Sequence, residues 1–265
     1  MKLNSLIDIG ANIAHDSFDD DRIEVMHRAK EAGVEKIIIT GSSDESNVKA
    51  ANLAANSKGM LYSTAGVHPH YASDYSDKSD ALIRSLIKKD AVVAVGECGL
   101  DYYRNLSPRE IQIEVFKRQL DIAKDASLPV FLHQRDAHYD FVKIMKPALP
   151  DLSQVVVHCF TDTEESLREY IAMGFYIGIT GWICDERRGK ELYDIASVIP
   201  DEKLLIETDS PYLLPRSIQP KPKSRRNEPM YLPEIARVIA EARKQSVEHV
   251  VKMTTKNAIR FFSLN

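Results

Sequence analysis

The sequence contains few cysteines and no excess of positive charge. Its 265 residues include 3 cysteines, Cys98, Cys159 and Cys184, without C-x-x-C spacing. This odd set suggests neither a disulfide framework nor a zinc ribbon, and it fits a protein of a reducing compartment. The formal net charge of -4 argues against a protein that coats nucleic acid by bulk electrostatics, so any phosphate binding must be local.

Long apolar runs and several well-known motifs are also missing. No stretch approaches the ~20 apolar residues of a membrane span, and the N-terminal segment lacks the apolar core of a signal peptide. We therefore expect a cytosolic protein without a membrane partner. The sequence has no Gly-rich dinucleotide fingerprint, no G-x-x-x-x-G-K-[ST] phosphate loop and no G-x-S-x-G elbow, which argues against the open-sheet cofactor folds.

Eight short apolar runs alternate with longer amphipathic segments along the chain. The runs are residues 5 to 10, 36 to 41, 61 to 67, 92 to 97, 129 to 134, 155 to 160, 176 to 181 and 204 to 209. Strands that are apolar throughout and joined by helices belong in a parallel sheet covered on its outer face. Eight such units predict a single α/β domain over residues 1 to 265, a closed (β/α)8 TIM barrel.

Polar side chains stand at the ends of four of these runs, where a barrel of this kind places its catalytic groups. They are Glu97, His133, His158 and Asp209. Any one of them is more often a capping or ion-pairing group, but a shared cation would offset the solvation that all four lose at one rim. Two imidazoles and two carboxylates are ligands that a divalent hydrolytic metal accepts, so we predict a metal site here.

Two further polar residues lie close to the predicted site. Glu207 precedes Asp209 by two residues and shares its strand face, so it points inward as well or supports a ligand from behind. His68, in the segment His68-Pro69-His70, follows the third run and is either a site residue or an ordinary loop histidine.

A basic segment lies just beyond the eighth run. It contains Arg216, Lys221, Lys223, Arg225 and Arg226, with no acidic residue between them. Such a run is usually a solvated face, but its position beside the metal site predicts phosphate binding. Trp182, Tyr102 and Tyr103 fall on expected rim loops, where each ring either stacks on an unpaired base or packs in the core.

Seven segments together resemble one enzyme family. They are GVHPH (66 to 70), GECGLDYY (96 to 103), FLHQRDA (131 to 137), HCFTDT (158 to 163), GITGWICDERRG (178 to 189), IETDSPYLLP (206 to 215) and SRRNEP (224 to 229). The resemblance is to the TatD family of metal-dependent deoxyribonucleases, and it spans nearly the whole chain in order. It implies a cytoplasmic (β/α)8 barrel of the metal-dependent hydrolase type that hydrolyses DNA with a divalent cation, commonly Mg2+. One branch of the family is a 3′ to 5′ exonuclease on single-stranded DNA and RNA.

The resemblance also assigns roles to individual residues. It implies that Glu97, His133, His158 and Asp209 are metal ligands and that His68 lies near the substrate phosphate. The end of the first strand departs from the family, because most relatives have Asp-x-His-x-His where this chain has Asp8, Gly10 and Asn12. A second metal site is therefore expected to be weak or absent. A two-histidine site suits Zn2+ or Mn2+, whereas the resemblance favours Mg2+, and both expectations stay open.

The predicted reaction is hydrolysis of a phosphodiester bond by a metal-activated water. Asp209, Glu97 and His68 are the expected catalytic residues, with Asp209 accepting the proton of the water. The expected phosphate contacts are His68, Arg135, Arg225 and Arg226. The expected partner is single-stranded DNA or RNA, bound by a monomer. The alternatives are an amidohydrolase-type metal hydrolase of a small cyclic amide or lactone, and a binding module whose site has decayed.

Overall fold

The eight predicted strands form one sheet in chain order. The computed structural model describes residues 5–57 and 59–264. The strands are β1 (Leu6–Ala11), β2 (Val34–Ile39), β3 (Leu61–Ala65), β4 (Val92–Asp101), β5 (Val130–Arg135), β6 (Val155–Val157), β7 (Tyr176–Ile179) and β8 (Leu204–Ile206). Each strand pairs in parallel with the next, as strands joined by helical crossovers do. The predicted (β/α)8 barrel is confirmed.

Helices cover the outside of this sheet. They are α1 (Arg22–Glu31), α2 (Asp44–Ala55), α3 (Asp77–Leu86), α4 (Arg109–Ala126), α5 (His138–Ala148), α6 (Glu164–Ala172), α7 (Lys190–Ile195), α8 (Leu232–Arg243) and α9 (Val247–Phe262). Serine caps begin several of them: the Ser43 hydroxyl accepts the Ser46 N–H at 3.2 Å before α2, and Ser246 does the same for His249 at 3.1 Å before α9. Within the described residues, no helix is long and apolar enough to cross a membrane.

The first and last strands meet through side chains as well as backbone. The Asp209 N–H donates to the Gly10 carbonyl at 2.8 Å. The buried Asp8 carboxylate accepts hydrogen bonds from the Thr208 N–H at 2.9 Å and from the Thr208 hydroxyl at 2.5 Å. Burial raises the pKa of Asp8 to about 8. The carboxyl ends of β1 and β8 therefore lie side by side.

The opposite end of the barrel is closed by α9. Phe261 and Phe262 of this helix share one buried apolar cluster with Val93 and Tyr176, which stand at the starts of their strands. The Tyr176 and Phe261 rings meet edge to face, with 5.0 Å between their centres. The barrel is therefore packed shut at the amino ends of the strands, and its polar rim lies at their carboxyl ends.

Some strand boundaries differ from the predicted ones. The fourth strand was expected to end at residue 97, but β4 continues to Asp101 because it pairs with β5 as far as Arg135. In contrast, β6 and β8 are shorter than predicted and end at Val157 and Ile206. His158 and Asp209, which fall within the predicted sixth and eighth strands, therefore lie in the loops that follow β6 and β8.

Candidate metal centre at the carboxyl ends of the strands

Glu97 lies at the centre of a group of histidines from neighbouring strand ends. Its Oε1 lies 2.7 Å from His158 Nε2, 3.1 Å from His133 Nδ1 and 3.3 Å from His68 Nε2. Glu97 is on β4 and His133 on β5, while His158 follows β6 and His68 follows β3. Burial raises the pKa of Glu97, but His158 and His68 hold it well below its usual range. The carboxylate is therefore ionised in the midst of three imidazoles.

The outer nitrogens of two of these histidines face other carboxylates. His133 Nε2 lies 3.1 Å from Asp101 Oδ2, and His158 Nδ1 lies 3.3 Å from Glu207 Oε2. A carboxylate only accepts hydrogen bonds, so each of these nitrogens carries a hydrogen. Glu97 faces the inward nitrogens just as closely, and although burial lowers the pKa of both rings, the surrounding carboxylates raise it above its usual value. The inward nitrogens therefore also hold hydrogens, which a cation bound beside Glu97 would displace. His133 and His158 are thus prepared to bind a cation on the side of Glu97.

His68 has the reverse arrangement. Its Nδ1 accepts the backbone N–H of His70 at 3.0 Å, so the hydrogen of the neutral ring lies on Nε2. Burial lowers the pKa of His68 to about 4, which keeps the ring neutral at pH 7. His68 therefore presents an N–H donor toward Glu97. This hydrogen favours contact with an anionic substrate over metal binding.

The donor atoms fit a divalent cation. One ligand atom each from His68, Glu97 and His133 lie within 4.8 Å of one another, a separation that a single ion can bridge. The Nε2 of His158 is closer still to Glu97, at 2.7 Å. His68 keeps its Nε2 hydrogen while its Nδ1 accepts the His70 N–H, whereas His158 holds a hydrogen on Nδ1 and can release the one on Nε2, so His158 is the better nitrogen ligand. A carboxylate with two imidazoles is a ligand set that divalent metals accept.

Asp209 approaches this group from beyond β8. Its Oδ1 accepts a hydrogen bond from Asn12 Nδ2 at 3.0 Å. Burial raises the pKa of Asp209 to about 7; the positive charge of His158 opposes this rise, and the charges of Glu97 and Glu207 add to it. Asn12 therefore serves here as a donor to a carboxylate.

Glu207 explains why position 10 is a glycine. Its carboxylate is fully buried, and Oε1 accepts the Cys159 N–H at 2.6 Å. A methyl group on Gly10 would collide with Glu207 Oε2, and one on Gly178 would lie 2.6 Å from Oε1. A side chain at position 10 would therefore require the buried Glu207 carboxylate to move. Of the two positions expected for Glu207, the structure shows the one behind His158.

Asp101 and His70 also belong to this region, although neither was predicted as a site residue. Asp101 is 1% exposed, and its Oδ2 lies 2.9 Å from His70 Nε2 as well as close to His133. The signal for Asp101 is the apolar Leu100, which continues the fourth strand past Glu97. His70 is marked in the sequence only by the His-x-His spacing.

Comparisons with known proteins identify the family. A sequence model described as TatD related DNase matches residues 7–263. The chain belongs to the TatD-related DNase family. It is 47% identical over 259 residues to a protein of Erwinia billingiae named 3'-5' ssDNA/RNA exonuclease TatD, covering 98% of this chain and 99% of that protein. A protein of the same name from Cronobacter sakazakii is 49% identical over 260 residues, covering 98% of each.

A solved structure of a TatD homologue shares the fold of this TatD-related DNase. The structure is that of YJJV from Escherichia coli K12, which aligns with a TM-score of 0.90 at 28% sequence identity. The alignment covers 99% of this chain and 100% of that one. The resemblance inferred from the motifs is therefore confirmed at the level of the family.

The basic segment of this TatD-related DNase is not a set of five free cations. Arg226 donates to the two carboxylate oxygens of Asp21 at 2.8 and 2.6 Å and to Glu228 Oε1 at 2.9 Å. Arg216 lies 3.5 Å from Glu186 Oε1. Arg225, Lys221 and Lys223 are exposed. Phosphate binding by Arg226 stays a prediction, and it would compete with the ion pairs that this side chain already makes.

Arg135 extends over the rim from the end of β5. Its guanidinium carbon lies 3.9 Å from the centre of the Tyr103 ring, which belongs to a residue 60% exposed. Tyr102 packs against the core, and Arg188 lies 4.5 Å from the ring centre of Trp182, which is partly buried. Of the three predicted stacking residues, Tyr103 is therefore the most open to solvent.

Proposed function

We propose that the protein is a divalent-metal-dependent nuclease that removes nucleotides from the 3′ end of single-stranded DNA and RNA. The observation that carries this proposal is the buried carboxylate of Glu97 with three imidazoles at 2.7 to 3.3 Å. Membership of a DNase family supports hydrolysis of nucleic acid. The digestion polarity and the single-stranded substrate rest on relatives that are 47% and 49% identical and carry these terms in their names.

The proposed metal ligands are Glu97, His133, His158 and Asp209. The first three meet around Glu97 Oε1, with inward nitrogens that are free to bind once their hydrogens leave. Asp209 stands close enough for the charge of Glu97 to raise its pKa. We propose Mg2+ as the cation, because Mg2+ binds through one or two carboxylates together with substrate phosphates. Mn2+ and Zn2+ are the alternatives that the two imidazoles favour.

The residues around the cation divide the remaining chemistry between them. When bound, the divalent ion supplies Lewis-acid activation of water and of the phosphate. Asp209 accepts the proton of the attacking water through Oδ2, because Oδ1 is held by Asn12 at 3.0 Å. Beside a bound divalent ion the pKa of Asp209 would fall from about 7, so that the carboxylate is ionised and able to accept a proton at neutral pH. The Nε2 hydrogen of His68 donates to a phosphate oxygen.

Three arginines are the proposed phosphate contacts farther out. Arg135 lies two residues after His133 at the end of the same strand, so it is the nearest along the chain to the metal ligands. Arg225 is exposed and needs no rearrangement to reach a phosphate. Arg226 would have to break its ion pairs with Asp21 and Glu228 before it could bind a phosphate, so it is the least favoured of the three phosphate contacts.

The amidohydrolase alternative is not favoured by the site. Enzymes of that type use a histidine pair at the end of the first strand, and here the Glu207 carboxylate fills the space above Gly10. They often use a carboxylated lysine as well, whereas none of the buried charged residues in the described ranges is a lysine. The decayed binding module is equally disfavoured, since Glu97, His133 and His158 still converge at 2.7 to 3.1 Å.

The domain organisation, oligomeric state and cellular location of the protein are also part of the proposal. We propose that residues 1–265 act as one catalytic domain, that the enzyme works as a monomer, and that it acts in the cytoplasm in DNA repair. The charge of -4 and the scarcity of cysteine support a reducing compartment and local substrate contacts.

Digestion of an end-labelled strand tests the proposed function. A 5′-labelled single strand should shorten stepwise in Mg2+, stop with a chelator, and resist when its 3′ end is blocked by phosphate. Glu97→Ala should lower the rate about 1,000-fold, because a catalytic metal contributes several kcal/mol. Glu114→Ala, at an exposed position of α4, is the matched control and should keep the native rate. A Glu97→Ala variant that digests at the native rate would contradict the proposal.

A further inference from the structure

Asp101 connects two histidines that come from different strand ends. It is the last residue of β4, and only 1% of it is exposed. Its Oδ2 lies 3.1 Å from His133 Nε2 and 2.9 Å from His70 Nε2, while Oδ1 accepts the Arg104 N–H at 2.7 Å. Both carboxylate oxygens of Asp101 therefore accept hydrogen bonds, and Oδ2 contacts both imidazole rings.

The backbone of Asp101 is fixed from the other side by α4. The Asp101 N–H donates to Gln112 Oε1 at 2.9 Å, and Gln112 Nε2 donates to the Asp101 carbonyl at 3.2 Å. Gln112 Nε2 also donates to the Ser107 carbonyl at 2.7 Å, and the Ser107 hydroxyl donates to the His70 carbonyl at 3.1 Å. This buried network ties the backbone of Asp101 to the segment that carries His70. The Arg104 N–H bond to Oδ1 then restrains rotation of the carboxylate away from the two rings.

The direction of these hydrogen bonds determines how each ring can bind a metal. Because Asp101 only accepts, His133 keeps the hydrogen on Nε2 when a cation displaces the one on Nδ1, the nitrogen that faces Glu97. His158 shows the opposite pattern, with Nδ1 held by Glu207 and Nε2 toward Glu97. The two proposed nitrogen ligands therefore use different ring nitrogens, and each is selected by its own buried carboxylate.

We propose that Asp101 is a positioning residue that holds His133 in the tautomer whose Nδ1 can bind the metal ion and anchors His70 beside His68. The proposal rests on the proposed function for the identity of the metal ligands. The anchoring of His70 matters because its backbone N–H bonds His68 Nδ1 at 3.0 Å and so places the hydrogen of His68 on Nε2. The Asp101 carboxylate thus contacts the metal ligand His133 directly and supports the phosphate donor His68 through His70.

Replacement of the carboxylate by its amide tests the role of Asp101 in metal binding. Asp101→Asn keeps the size of the side chain but can turn an N–H toward His133, which favours the tautomer with the hydrogen on Nδ1. We expect Mn2+ affinity, measured by titration calorimetry, to fall about 10- to 100-fold. Asp140→Asn is the matched control, because Asp140 accepts a hydrogen bond from Tyr102 at 2.8 Å and contacts no ligand. Native Mn2+ affinity in a folded Asp101→Asn protein would overturn the proposal.

A spectroscopic measurement on the native protein gives a second, independent test. With 15N-labelled histidine and saturating Zn2+, nitrogen NMR should show the His133 hydrogen on Nε2 and the His158 hydrogen on Nδ1. A His133 hydrogen on Nδ1 would overturn the proposal even if Asp101→Asn fails to fold. Both measurements are independent of nuclease activity, so an inactive enzyme with the expected tautomers and affinities would overturn the proposed function and leave the role of Asp101 standing.

Discussion

The strand-end site and the basic segment of residues 216 to 226 are both clusters of charged side chains, but they are built in opposite ways. At the strand ends, Glu97 is 7% exposed and its three imidazole partners come from separate strands. In the basic segment, Arg225 is exposed, and Arg226 is neutralised by Asp21 and Glu228. The side chains of the strand-end site are buried and come together from distant parts of the chain. Those of the basic segment are exposed or paired with nearby acidic residues.

The difference shows which kind of charge cluster is informative about function. Burial of an ionised carboxylate costs roughly several kcal/mol of free energy unless polar or charged partners surround it. A buried carboxylate with such partners therefore indicates a specific role. A surface ion pair contributes about 0 to 1 kcal/mol and forms wherever opposite charges meet. The site around Glu97 therefore carries the functional argument, and the basic segment adds to it only through residues without a partner acid.

After loss of Glu97, the largest predicted effect is that of replacing Asp209, the carboxylate that we propose as the proton acceptor. Asp209→Asn keeps the shape of the side chain but removes the base, so single-turnover cleavage with saturating Mn2+ should slow by about 100-fold or more. Asn12→Ala, which removes only the hydrogen bond to Asp209, should slow cleavage less. Equal rates for native enzyme and Asp209→Asn would place the base elsewhere and weaken the case for the strand-end cluster.

The next effect tests whether Glu207 and Gly10 compete for one space. Gly10→Ala should destabilise the fold by about 1 to 3 kcal/mol, because the added methyl collides with the buried carboxylate. In Glu207→Ala that space is free, so the same Gly10→Ala change should cost much less. Urea unfolding of the two single variants and the double variant measures this coupling. Additive losses would show that the two residues do not share the space.

A smaller effect separates the two neighbouring arginines of the basic segment. Arg226→Ala should lower stability by at most about 1 kcal/mol, because it breaks partly exposed ion pairs with Asp21 and Glu228. Arg225→Ala should leave stability unchanged and weaken binding of single-stranded DNA, reducing the slope of log affinity against log salt by about 1. DNA binding that is equally strong in native protein and Arg225→Ala at every salt concentration would remove Arg225 from the substrate path.

The smallest predicted effect is the pH dependence of the Arg226 ion pair. Hydrogen bonding to Arg226 lowers the pKa of Asp21 to about 2, below its ordinary value of 3.8. A lowered carboxyl pKa stabilises the fold above pH 3.8, and this contribution is lost as pH falls toward 2. The stability difference between native protein and Arg226→Ala, measured by urea unfolding, should therefore be larger at pH 6 than at pH 2.5. A difference independent of pH would show that Asp21 is not the partner that matters.

Most of the strand-end cluster was predictable because strand periodicity fixes where a polar residue falls. Glu97 and His133 end apolar runs, and parallel strands joined by helices place such ends at one rim. The same logic failed to include Asp101, because the predicted fourth strand ended at residue 97. Pairing with β5 continues across Gly99 and carries Asp101 into the buried rim.

The remaining features depend on contacts between residues far apart in the sequence. Arg226 and Asp21 are separated by 205 positions, so the sequence gives no sign that these two residues form an ion pair. The need for glycine at position 10 likewise depends on Glu207. The tautomers of His68 and His133 depend on which atoms face each ring nitrogen, and residue spacing carries no information about that.

The location of the bound metal is the most direct test of the central claim. Crystals grown or soaked with Mn2+ should show one strong anomalous peak within bonding distance of Glu97 and of the inward nitrogens, Nδ1 of His133 and Nε2 of His158. A peak bound instead by other residues, or none at saturating Mn2+, would contradict the proposal that these strand ends form the catalytic metal centre.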